Sequence, residues 1–264
     1  GADMLDIVDL SVRLGQTPIL HGLTLQAHAG QVLVICGANG AGKSTLLKAV
    51  LGEAAYHGTI RLNGQDLATA RPDQLAARRA VLPQDTEVAF AFTLGDIVAM
   101  GREAGDLWSD PGIDALALAA VGLQGRDRED FRTLSGGERQ RGHLARALAQ
   151  VWSPVGPDGP RWLMLDEPVA SLDLGHQLMI MRLARQFADA GGGVVAIMHD
   201  LNLSAMVADR MGFLIDGRLQ ALGPPAQAMR PEVLERAYGC HIALNAAPKA
   251  GPWLLPQSCR PFGR

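Results

Sequence analysis

The stretch that most limits the fold is "QVLVIC", residues 31–36, running straight into "GANGAGKST", residues 37–45. A continuous apolar, β-rich run ending in glycine reads as a strand covered on both faces. "KSTLLKAVLG" then has helical spacing and closes at Gly52. A strand, a loop of the form G-x-x-x-x-G-K-[ST] and a helix, in that order, make a phosphate cradle. The loop's glycines let successive backbone N–H groups curl around phosphate oxygens, and the helix adds the positive end of its dipole. Gly37, Asn39, Gly40, Gly42 and Thr45 are therefore candidate nucleotide-binding positions. Lys43 is placed to reach the β- and γ-phosphates as a point charge, and Ser44 to offer its hydroxyl to Mg²⁺. Lys43 is further marked out because only Lys43, Lys48 and Lys249 are lysines among 24 basic residues.

The pattern of an apolar strand ending in polar residues recurs in "RWLMLD" and "GVVAIMHD", with helical segments between. That alternation implies an α/β core with a mainly parallel sheet, and the phosphate loop within it resembles that of a P-loop NTPase core. "MLDIVDLSVRL" and "PILHGLTLQAHAG" instead alternate apolar and polar residues, as half-exposed strands of a separate antiparallel β subdomain do. Asn63-Gly64 and Asp216-Gly217 mark hairpin turns. Between Gln84 and Leu134 the strand signals fade, and "TLGDIVAMGR" and "PGIDALALAAVGL" predict an inserted helical subdomain over 87–132. "VWSPVGPDGP", residues 151–160, reads as a proline- and glycine-rich loop. Residues 223–264 form a C-terminal extension expected to hold a short helix, then weak strands and turns; the whole of 1–264 is expected to be one domain.

Composition narrows the function. The chain is 48% hydrophobic and 19% charged with a net charge of -3, which fits a globular protein and argues against a general polyanion binder. No apolar run approaches the roughly eighteen residues of a membrane-spanning helix, and no export signal is expected at the N-terminus. Three cysteines without zinc spacing, Cys36, Cys240 and Cys259, fit a reducing compartment.

A bound triphosphate needs a metal carboxylate. Asp166, ending "RWLMLD", is suited to hold Mg²⁺, and neighbouring Glu167 to polarise an attacking water. A second anion-facing feature lies in "TLSGGERQR", residues 133–141. Ser135 and Glu138 form a capping box, but two glycines in a first helical turn weaken a helix. Their use is to let bare N–H groups of Gly136 and Gly137 approach a negative ligand. Without a lysine this feature supplements another phosphate site and holds nucleotide poorly alone.

Together these stretches resemble the ATP-binding subunits of ABC transporters. "GANGAGKST" is similar to their Walker A motif, "WLMLDE" to Walker B with its catalytic glutamate, and "LSGGERQR" to their signature. Gln84 in "VLPQD" resembles the Q-loop, Ser171–Asp173 the D-loop and His199 in "IMHD" the switch histidine. The motifs occur in the family's order, from the first strand to about Leu222. The resemblance implies ATP and Mg²⁺ as cofactors and a head-to-tail dimer with a second copy. In such a dimer Ser135, Gly136 and Gly137 of one copy close on the γ-phosphate held by Lys43 of the other. It implies Glu167 as general base, His199 on the γ-phosphate, Gln84 sensing Mg²⁺ and the attacking water, and Asp173 relaying state across the interface. Three departures stand out: Ala38 where proline is common, Val169-Ala170 before the D-loop, and Arg13-Leu14 where many members stack adenine on an aromatic ring.

"FAFTLGDIVAMGR" resembles the importers of siderophores, haem and cobalamin, and the long insertion at 151–160 and "LDLGHQ" resemble the haem importers among them. This likeness implies two separate transmembrane permease subunits, indirect action with a periplasmic substrate-binding protein, and residence on the cytoplasmic face of the bacterial inner membrane. A groove beside Gln84 to Arg102 is expected to take a short permease helix, with Glu87 and Arg102 on the contact surface. Ferric-siderophore or cobalamin import are alternatives. A soluble ABC-type ATPase acting on nucleic acid is disfavoured, since the tandem unit, coiled coils and basic arms of that group are missing.

Overall fold

The computed structural model describes residues 3–84 and 87–262. In chain order the elements are β1 (Met4–Leu14), β2 (Thr17–His28), β3 (Val32–Cys36), α1 (Lys43–Val50), β4 (His57–Leu62), β5 (Gln65–Asp66), α2 (Pro72–Arg78) and β6 (Arg79–Leu82). Then come α3 (Leu94–Ala104), α4 (Gly112–Ala120), α5 (Gly136–Gln150), β7 (Val155–Gly156), β8 (Gly159–Pro160), β9 (Trp162–Asp166), α6 (Leu174–Asp189) and β10 (Gly193–Ile197). The chain continues through α7 (Leu201–Val207), β11 (Arg210–Ile215), β12 (Arg218–Gly223), α8 (Pro225–Ala228) and α9 (Pro231–Tyr238).

Six strands form the central sheet in the order β12-β11-β3-β10-β9-β6. β11, β3, β10, β9 and β6 run parallel, and β12 returns antiparallel beside β11. Every residue of β3, β9 and β10 is buried, because both sheet faces are covered. Alternate side chains serve two cores. Val32, Val34, Leu163, Leu165, Val194 and Ala196 pack toward the helices α5, α6 and α7. Leu33, Ile35, Met164, Val195 and Ile197 pack toward α1 and the second sheet, β2-β1-β4-β5, which is antiparallel as its alternating sequence predicts.

The helical segment is pinned by close packing and by one ion pair that buries Arg102. A Cβ on Gly101 of α3 would lie 2.0 Å from the Arg146 carbonyl of α5, so glycine is what lets the two helices cross so tightly. Arg102 corrects one expectation. It is 7% exposed, with Nε 2.8 Å from Asp114 Oδ1 and Nη2 3.2 Å from Asp114 Oδ2, and Nη1 donates to the Trp108 carbonyl. Arg102 therefore ties α3 to α4 and is no part of a contact surface, because its neighbouring carboxylate draws it inward.

The insertion at 151–160 folds into the small β7–β8 ladder. Arg161 beside it is buried and donates to the carbonyls of Ala77 (3.2 Å) and Ser153 (2.8 Å) and to both Asp106 oxygens (2.7 Å). Trp162 Nε1 donates to Asn63 Oδ1 at 3.0 Å. The C-terminal extension also departs from expectation: after α9 the described residues hold a 3₁₀ turn at Pro256–Ser258 and no strand, since "NAAPKAGPW" lacks an alternating pattern.

Candidate functional site

Register brings the motifs together. Leu82 pairs with Leu165, Asp166 with Ile197, and Ile197 with Ile35, so β6, β9, β10 and β3 end level with one another. Gln84, Glu167, His199 and Gly37 each follow one of those ends within two residues. Ligand sites of open parallel sheets lie at such carboxyl edges.

The phosphate loop is built from both sides. Gly42, at φ 104°, is the N-cap of α1 and leaves the helix's first N–H groups without a side-chain cap, free to face an anion. Gly217, in the β11–β12 turn, donates its N–H to the Ala41 carbonyl at 3.0 Å and braces the loop from below. Lys43 and Thr45 are buried, and Ser44 is half-buried at the start of α1. Asn39 and Gly40 lie exposed at the loop tip, Gly40 at φ 82°. Behind the loop, the α9 residue Tyr238 is half-buried with its hydroxyl near Cys36, and burial raises the pKa of that hydroxyl.

Four polar side chains form one chain of contacts. Lys43 Nζ donates to the Gly37 carbonyl and lies 3.2 Å from His199 Nδ1. His199 Nε2 lies 2.5 Å from Glu167 Oε1, and Gln84 Nε2 donates to Glu167 Oε2 at 2.8 Å. An ammonium only donates, so Nδ1 of His199 accepts and Nε2 carries the proton toward Glu167. Burial lowers the Lys43 pKa, an effect opposed by Cys36 and by the Glu167 and Asp166 carboxylates. Burial, then the adjacent Glu167 charge, pushes Asp166 up to about 6. Its Oδ1 is buried with no hydrogen-bond partner.

Glu167 occupies the left-handed region, φ 50°, where non-glycine residues stand only when their surroundings hold them. Its N–H donates to the Ile197 carbonyl at 2.9 Å. Its own carbonyl and that of Pro168 accept from Gln140 Nε2 at 3.2 and 3.1 Å. Gln140 is absent from the motif-based set of candidates: a glutamine inside "GGERQR" looks like a solvated helix residue, and nothing in the sequence shows that α5 passes under the Glu167 loop.

The second anion-facing feature stands apart. Ser135 caps α5 by accepting from Glu138 N–H at 3.1 Å, and Glu138 Oε1 accepts from Ser135 N–H at 2.9 Å. Arg126 also pairs with Glu138 and, with the Ser135 N–H, holds its carboxyl down at about 2. No hydrogen bond among the described residues joins Ser135, Gly136, Gly137 or Asp173 to the phosphate loop. Asp173 is exposed, caps α6 through the His176 N–H at 3.1 Å and lies 2.8 Å from His176 Nδ1. A cleft of ≈ 800 Å³ between these parts is lined by Gln84, Glu87, Arg139, Gly136, Glu167 and Ser171.

Residues 20–170, more than half of the chain, match the ABC transporter family. The chain belongs to that family. A hemin import ATP-binding protein, HmuV, of Jannaschia sp. (strain CCS1) is 51% identical to this ABC protein over 261 residues, 98% of this chain and 97% of the relative. The HmuV of Roseobacter denitrificans is 49% identical over 255 residues, 96% and 98% of the two chains. A bacterial Atm1-family ABC exporter with ATP bound superposes with a TM-score of 0.74 at 26% identity over 85% of this chain, which spans 39% of the exporter chain. This ABC protein binds and hydrolyses ATP in support of transport. None of its described helices is long and apolar enough to cross a membrane.

Proposed function

We propose that this ABC ATPase drives haem uptake through two separate transmembrane permease subunits, served in turn by a periplasmic substrate-binding protein, from the cytoplasmic face of the inner membrane. The observation that carries the cargo is near-full-length likeness to two proteins named for hemin import, 51% and 49% identical. Phe90, Trp108 and Leu116 are exposed on the 87–132 segment, apolar surface of the kind that a partner covers.

The working unit is a head-to-tail dimer. Each copy holds ATP by the backbone of Gly37–Gly42, by Lys43 and by Thr45, and the partner's copy of the Ser135–Gly137 helix tip meets the γ-phosphate. Lys43 has three donors, two of them engaged by Gly37 and His199, so one N–H remains for a phosphate oxygen. Glu167 is the general base that takes a proton from the attacking water. His199 steadies the γ-phosphate, Gln84 orients the water, and Asp173 carries state between copies.

Mg²⁺ fits the oxygen donors. The unpartnered, buried Oδ1 of Asp166 wants a cation, and Ser44 supplies a hydroxyl across the same small cleft, which Gln84 also lines. An ion held by so few protein oxygens completes its shell with phosphates and water. When bound, the ion neutralises charge on the β- and γ-phosphates.

The test is uptake into vesicles carrying this chain with its permease and binding protein. ATP-dependent accumulation of haem is expected. Accumulation of cobalamin or a ferric siderophore with none of haem would overturn the cargo.

A further inference from the structure

We infer that Gln140 is a positioning residue for Glu167, linking the helix that completes the partner's site to the base of its own. This inference rests on the reading of Glu167 as general base.

Gln140 lies on α5, the helix capped by Ser135. Its amide nitrogen donates to two successive carbonyls of the loop carrying the base, that of Glu167 at 3.2 Å and that of Pro168 at 3.1 Å. Glu167 needs such support. Its backbone holds a left-handed conformation at φ 50° that relaxes unless tethered, and its N–H is already fixed to the Ile197 carbonyl of β10. The peptide is therefore gripped from both ends, by the core sheet on one side and by α5 on the other. On the same helix, a Cβ on Gly137 would touch Leu172 at 3.2 Å, so the signature turn also abuts the D-loop of its own chain. Any tilt of α5 that follows closure of Ser135 and Gly136 on a partner's phosphate pulls on the Glu167 carbonyl through Gln140. A general base must sit within hydrogen-bond reach of its water, and displacement of about 1 Å is enough to lose about a hundredfold in rate.

Three substitutions separate a donor role from packing. Gln140→Met keeps length and helix propensity but removes both hydrogens; Gln140→Glu keeps the shape and faces the carbonyls with a carboxylate; Gln140→Lys keeps a donor of similar reach. The full-length chain is assayed at concentrations where the wild type is dimeric, with Glu167→Gln alongside. Expected is a fall in kcat of about 10- to 100-fold for Met and Glu, with the ATP dissociation constant and melting temperature near wild type, and at least partial recovery for Lys. Wild-type kcat in Met and Glu overturns the inference. So does a loss shared equally by Met, Glu and Lys, or one that appears in ATP affinity instead of kcat. Persistent turnover in Glu167→Gln overturns the base assignment itself, and is distinguished because it does not depend on Gln140.

Discussion

His199 Nε2 and Glu167 Oε1 lie 2.5 Å apart at the ends of neighbouring parallel strands, β10 and β9. The imidazole shares Glu167 with Gln84, which holds the other carboxylate oxygen at 2.8 Å. Both oxygens of the proposed base therefore have partners, and an attacking water has to be accommodated by rearranging them.

Replacing Glu167 by Gln keeps the side chain's shape and removes its basicity. Phosphate release is expected to fall by at least about a hundredfold, while ATP stays bound and a closed dimer accumulates in size-exclusion chromatography. Near-wild-type turnover would remove Glu167 as the base.

Ser135 borders the glycine-lined tip of α5. Ser135→Arg should abolish hydrolysis yet leave ATP binding to the isolated chain within about twofold, since no hydrogen bond among the described residues links Ser135 to the phosphate loop. In the wild type, activity per chain should rise with protein concentration in the dilute range. A constant specific activity in strictly monomeric material would contradict the shared site.

The capping box sets a pH response. Glu138 has its pKa lowered from 4.5 to about 2, with Arg126 the largest cause. A depressed carboxyl favours the fold above its unfolded value, and that contribution disappears as the folded form is protonated. The advantage over Glu138→Gln, about 2–4 °C in Tm near neutral pH, should therefore shrink below pH 4.5 and vanish near pH 2. A gap independent of pH in calorimetry would show that the ion pair contributes nothing.

Arg102 and Glu87 should part company. Arg102→Glu breaks a buried pair with Asp114 and is expected to cost about 3–5 kcal/mol, seen as unfolding at lower urea. Glu87 is exposed on the cleft beside Gln84, so Glu87→Lys should leave ATPase activity intact and lower transport in vesicles. Unchanged coupling would exclude that surface from permease contact.

Much of the scaffold is legible before any coordinates. The runs at 32–36 and 162–166 are too apolar for anything but strands covered on both faces, and Asn63-Gly64 and Asp216-Gly217 adopt the positive φ angles that their hairpins require. Ser135 and Glu138 form the reciprocal cap that their spacing predicts. Side-chain partnerships across long separations are not legible. A charged residue at helical spacing looks exposed, which places Arg102 at the surface, yet Asp114 supplies the counter-charge that permits its burial. Gln140 looks generic for the same reason: its partners are main-chain carbonyls, which carry no residue-type signal.

The Arg161 guanidinium joins α2, the β7–β8 insertion and Asp106 at the root of the strand that ends in Asp166. A segment rich in proline and glycine is thereby made into a keystone, seated at the far end of the strand that leads into Asp166 and Glu167. Shortening that segment would take the Ser153 carbonyl away from Arg161 and so loosen the tie between α2 and the strand that leads to Asp166.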